Sequence, residues 1–61
     1  MEFTLRMDCD NAAFDGNMED EIIRILESLQ TDIRDTCLTG YDKYQNLRDI
    51  NGNIVGAWRL K

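Results

Sequence analysis

Apolar and polar residues alternate strictly from Glu2 to Asp10, with Phe3, Leu5, Met7 and Cys9 on one side and Glu2, Thr4, Arg6, Asp8 and Asp10 on the other. A period of two predicts a strand with one buried face. The link that follows, NAAFDGN, is rich in turn formers and carries Phe14 as an apolar plug between strand and helix. Asn17 then stands where an N-cap belongs, and Glu19, Asp20 and Glu21 fill a first turn in which the helix dipole favours acids. Met18, Ile22, Ile25, Leu26, Leu29 and Ile33 form one stripe at the helical repeat, which predicts a helix of about five turns with a single sheet-facing side. Ile23 lies about 100° from Ile22 around the axis, at the border of that stripe, and is a candidate contact residue. From Thr36 to Asn46 the sequence TCLTGYDKYQN shows no period and reads as a loop bearing Tyr41 and Tyr44.

The C-terminal stretch RDINGNIVGAWRL poses a choice between a cation loop and a hairpin turn. Counted as an EF-hand from Asp49, the oxygens at Asp49, Asn51 and Asn53 match, but the glycine position holds Ile54 and the bidentate glutamate position holds Leu60. A hairpin accounts for the stretch better. Asn-Gly is the favoured central pair of a type I′ turn, so Asn51 and Gly52 are expected to join two strands. That register puts Leu47, Asp49, Ile54, Gly56, Trp58 and Leu60 on the core face. Arg48, Ile50, Asn53, Val55, Ala57, Arg59 and Lys61 fall on the other, a second candidate contact surface. Asp49 is the misfit among core residues and is expected at the sheet end, accepting hydrogen bonds from turn amides. Gly56, opposite Leu47, is expected to make room for the Trp58 ring or the helix.

These elements run strand, helix, strand, strand, and predict a single small α+β domain over residues 1–61. A helix that returns the chain sets the second strand parallel to the first, and a last strand slotted between them makes every neighbouring pair antiparallel. The expectation is a β-α-β-β fold, a three-stranded antiparallel sheet of order 1-3-2 with one helix packed on one face. The first strand is then an uncovered edge, which invites pairing with another chain.

Length sharpens that point. A chain of 61 residues buries only about 60% of its unfolded surface, so its core is marginal and a homodimer is expected. Net charge is −5, which speaks against direct binding of nucleic acid, since phosphate backbones need clustered Lys and Arg. No run approaches the ~20 apolar residues of a membrane span, and the N-terminus lacks a signal-peptide pattern, so no membrane association and a cytoplasmic location are expected. Cys9 and Cys37 could form one disulfide, although two such cysteines in a non-secreted chain are more often reduced apolar fillers.

The absence of histidine removes the commonest general base and most zinc sites. What remains is the acidic group around DCDNAAFDGNMEDE, where Asp8 and Asp10 share a strand face and Asp15, Glu19 and Glu21 follow. Paired carboxylates can hold Mg²⁺ or perform acid–base work, but acids at a helix start already serve the dipole. So small a fold is also expected to lack a pocket of about 300 Å³. The chain therefore reads as non-enzymatic, with no catalytic, cofactor or metal site.

Two segments, MDCDNAAF (Met7 to Phe14) and RDINGNIVGAW (Arg48 to Trp58), resemble the two ends of a family of very small phage and prophage proteins. That family carries a D-x-D-N-A-A-F segment near the start and a C-terminal D-x-N-G-N-x-V-G-x-W segment. The resemblance covers roughly a third of the chain and brings no assigned activity. It implies a phage-encoded protein acting in the host cell cytoplasm by occupying a surface of a host protein, as an anti-defence inhibitor does. The residues expected to bind the partner are Asp8, Asp10, Asp15, Glu19, Ile23, Tyr41 and Tyr44. The alternatives are an acidic nucleic-acid mimic that blocks a basic groove and a virion or assembly component.

Overall fold

The computed structural model describes residues 1–36 and 42–61. Strand β1 (Phe3–Met7) leads through a short 3-10 turn (Ala12–Phe14) into helix α1 (Met18–Thr36), followed by β2 (Lys43–Arg48) and β3 (Ile54–Leu60). The sheet has order β1-β3-β2, antiparallel at both seams. The expected α+β architecture is therefore the observed one. Tyr41 and Cys37 lie outside the described residues; Cys9 is half-buried with a free thiol.

The helix begins where the acids place it. Asn17 precedes it, its carbonyl accepting from the Glu21 N–H at 3.3 Å and its side-chain amide donating to the Asp20 carboxylate at 2.7 Å. Ile25 and Leu29, at the centre of the stripe, are buried against Leu47, Val55, Trp58 and Leu60, and Phe14 closes one end as the expected plug. The radius of gyration is 12.1 Å, whereas a compact chain of this length is expected near about 10.5 Å. The molecule is a thin two-layer body with little interior.

Three expectations are corrected. The segment from Lys43 to Asn46 is not loop: it forms most of β2 and pairs along β3 from Leu60 to Ala57. Its own alternation is short and polar, and the strand is imposed by the partner rather than by its residues.

The hairpin turn is also longer than expected. Asp49 N–H donates to the Asn53 carbonyl at 2.9 Å, and Gly52 N–H donates to the Asp49 carbonyl at 3.0 Å. Gly52 has φ +85° while Asn51 does not have positive φ. This is a three-residue loop, Ile50 to Gly52, closed by a left-handed glycine. The extra loop residue shifts the register by one near the turn, so Arg48 pairs with Ile54; a bulge then leaves Val55 unopposed and restores Leu47 to Gly56. Val55 is consequently buried and Ile54 exposed, the reverse of the expected assignment. Beyond the bulge, Trp58 and Leu60 face the helix as expected.

Third, Phe3 and Leu5 are not beneath the helix. They share its side of the sheet, but α1 lies toward β2 and leaves both about two-fifths exposed, at 43% and 41%. Phe3 stacks on Trp58, ring centroids 5.6 Å apart and planes 22° from parallel. Trp58 itself is 1% exposed.

Candidate functional site

The acidic residues do not assemble into one site. Glu21 turns inward: it is buried, and its carboxylate takes the Arg24 guanidinium at 2.7 Å and the Ile50 N–H at 2.9 Å. Asp8, on the opposite side of the molecule's sheet, is held by Arg6 at 3.2 Å. Asp10 and Asp15 are exposed in the connection, and Glu19 and Ile23 are exposed on the helix. Among the described residues no group of three or more His, Cys, Asp or Glu is placed to hold a metal ion. No helix among them is long and apolar enough to cross a membrane.

Asp49 carries out the role expected of it and more. It is 4% exposed, and its Oδ1 accepts from the N–H groups of both Asn51 and Asn53, each at 2.9 Å. Its Oδ2 accepts from the Asn11 side-chain amide at 2.7 Å. The Asn11 oxygen in turn caps the 3-10 turn through the Ala13 N–H at 3.0 Å. Asn11 and Asp49 thus tie together the segments 7–14 and 48–58. Phe14 and Trp58, from the same two segments, meet in the core. These four residues are scaffold.

Burial by itself would raise the Asp49 pKa, but the donors from Asn53, Asn11 and Asn51 outweigh it and hold the carboxyl below its ordinary value. Hydrogen bonding to Arg24 holds Glu21 low against its own desolvation, with Ile50 helping, and Arg24 is raised in return. A carboxylate with a lowered folded pKa contributes stability that is fully present above its unfolded value and is lost as pH falls through the folded one. The fold is therefore expected to be insensitive to pH from 7 down to about 4.5 and to lose stability below about 4. Urea midpoints followed by the single tryptophan measure this. Asp49→Asn is expected to lower the midpoint at pH 7 and to flatten its fall in acid; an unchanged acid limb would remove Asp49 from that role.

Two surface concavities remain. One, of about 340 Å³, runs between α1 and β2 and is lined by Arg24, Ser28, Asp32, Gln45 and Arg48, so the expectation that no space of this size exists is wrong. Polar side chains of α1 and of the edge strand β2 frame it, with Ile25 and Leu47 at its floor. The other, about 260 Å³, lies on the sheet face away from the helix and brings together Arg6, Asp8, Tyr44, Asn46, Ile54 and Ala57. Two expected partner-binding residues, Asp8 and Tyr44, thus line one groove, while Asp10, Asp15, Glu19 and Ile23 lie outside it.

Tyr44 reaches this face because β2 is a strand: it pairs with Arg59, whose other neighbour is Thr4. The tyrosine is 61% exposed and Ile54 55%. The Tyr44 hydroxyl donates to Asn46 at 3.0 Å, and Arg59 is held by Asp42 at 2.9 Å. Ile54 was missed by sequence reasoning, since only the bulge places it here. No protein-family model, curated protein or solved structure matches the chain.

Proposed function

We propose that this is a small phage-type, non-enzymatic protein that binds a host protein through its outer sheet face and inhibits it by occupying a surface. The observation that carries the reading is the exposure of Tyr44 and Ile54 at the two ends of one groove, with Ala57 between them, on a sheet face that no layer of the described residues covers. An aromatic and an aliphatic anchor rimmed by arginines is the composition of a protein contact, because Tyr buries large area with few rotors to immobilise and Arg offers a fork of hydrogen-bond donors to the partner. Arg6, Arg48 and Arg59 supply that rim. The phage origin and the anti-defence role rest on the resemblance of the two scaffold segments, and the host cytoplasm is where such a protein would act.

The test is capture of host protein by the tagged chain, wild type against Tyr44→Ala. A saturable partner retained by wild type is expected to be weakened about 30-fold or more by Tyr44→Ala, the loss of an interface anchor. Capture that ignores the substitution, or no saturable partner at all, overturns the reading. An affinity that collapses with added salt would favour the nucleic-acid mimic instead.

A further inference from the structure

Glu2 and Lys61 exchange both backbone hydrogen bonds, at 2.7 and 3.0 Å. In an antiparallel ladder bonded and non-bonded pairs alternate. Thr4 opposite Arg59 and Arg6 opposite Ala57 are therefore the next bonded pairs. The N–H and C=O groups of Phe3, Leu5 and Met7 point the other way, along the free edge of β1. The same residues carry the apolar side chains that α1 leaves partly uncovered.

The helix stripe leans toward that edge. Arg24, Ser28 and Asp32 line the groove on the β2 side. Ile22, Leu26 and Ile33 lie on the opposite flank by the helical repeat and are only half-buried against the core. Phe3, Leu5 and this flank thus form an apolar strip beside a strand edge that no described residue pairs with. The edge itself, FTLRM, has no proline, and among the devices that keep strands apart it carries one charge, Arg6, and its five-residue length.

Charge decides what pairs with it. With Leu5 on a twofold axis, Glu2 would oppose Asp8 of a second copy, like against like. With Thr4 on the axis, Phe3 meets Leu5 of the second copy, Thr4 meets Thr4, and Glu2 meets Arg6 in both directions, all favourable cross-strand partners. We infer that the β1 edge docks a second copy of this chain in that register, joining two three-stranded sheets into one of six strands. The axis stands perpendicular to the sheet, so both helices lie on one side with Phe3 and Leu5 of both copies between them. The outer faces stay open on the other side, and the pairing does not rest on host-protein binding.

Size-exclusion chromatography with light scattering on the purified chain is expected to give twice the 7.1 kDa chain mass at about 100 µM, well above the dissociation constant of a modest dimer. Glu2→Arg sets like charges in both cross-strand pairs and is expected to weaken association roughly tenfold. Combining it with Arg6→Glu restores opposite charges and is expected to restore the dimer, which a role for either side chain in folding alone would not produce. Tryptophan emission verifies that each variant is folded. A folded wild-type chain that stays monomeric overturns the inference, as does a dimer indifferent to Glu2→Arg or one that the double swap fails to rescue. Tyr44→Ala is expected to leave the dimer intact, so the two proposals fail separately.

Discussion

Gly56→Ala is expected to abolish cooperative folding at room temperature, although it adds only one methyl group. A β-carbon at Gly56 would overlap the carbonyl oxygen of Arg6 and stand 2.8 Å from its carbonyl carbon and 2.9 Å from the Met7 Cα. All of these are backbone atoms of β1, so no side chain can rotate away. Relief requires β1 to move off β3, which breaks the bonded pairs at Arg6 and Thr4. A cost of at least about 3 kcal/mol follows from overpacking of this kind. A chain of 61 residues has a total stability of only about 3–9 kcal/mol. Gly52→Ala is the control: its φ of +85° is strained for alanine, but nothing lies within 4 Å of the added carbon, so about 1–2 kcal/mol is expected. Urea denaturation followed by tryptophan emission compares them. Equal stability of the two variants would mean that β1 does not approach Gly56 so closely.

That approach illustrates what the sequence could and could not reveal. The glycine in the strand pattern signalled a close neighbour, but which one is a tertiary fact: the neighbour is the β1 backbone, not the Trp58 ring or the helix. The turn shows the same division. Asn51-Gly52 marked the reversal, yet the choice between a two- and a three-residue loop was decided by Asp49. Its carboxylate gathers the N–H groups of Asn51 and Asn53, which holds the longer loop closed. The bulge at Val55 then absorbs the extra residue. Trp58 and Leu60 were therefore assigned correctly through a turn that was not, while Val55 and Ile54, on the near side of the bulge, were exchanged.

Contact surfaces were less legible than the core for a related reason. Periodicity reports which side of an element is apolar, not how far a neighbouring layer extends over it. Phe3 and Leu5 lie on the apolar side of β1 as expected, but the lateral position of α1 over β2 is set by Ile25 and Leu29 meeting Leu47 and Trp58, and that is invisible in any one segment. Tyr44 was found as a candidate while its element was misread, because β2 owes its strand to pairing with β3. Of the acids, Glu21 and Asp49 turned out to be structural ties between helix, turn and connection.

Trp58→Ala is expected to be the most costly side-chain truncation in the molecule. The ring is 1% exposed, packed under α1 and stacked on Phe3, in a core whose other buried apolar members among the described residues are Phe14, Ile25, Leu29, Leu47, Val55 and Leu60. Removing it costs about 3–5 kcal/mol in transfer and cavity terms, enough to unfold a chain near the lower end of its stability range. Trp58→Phe is expected to behave differently. The indole N–H is buried without a hydrogen-bond partner among the described residues, and such a donor carries a desolvation penalty of about 1–3 kcal/mol. Phenylalanine removes that penalty while keeping most of the apolar contact, so the lost ring volume is partly offset and the net change is expected within about 1.5 kcal/mol. Far-UV circular dichroism in urea measures both, since neither variant retains the fluorescent residue. If Trp58→Phe proved as damaging as Trp58→Ala, the indole N–H would have to be making a bond that stabilises the core.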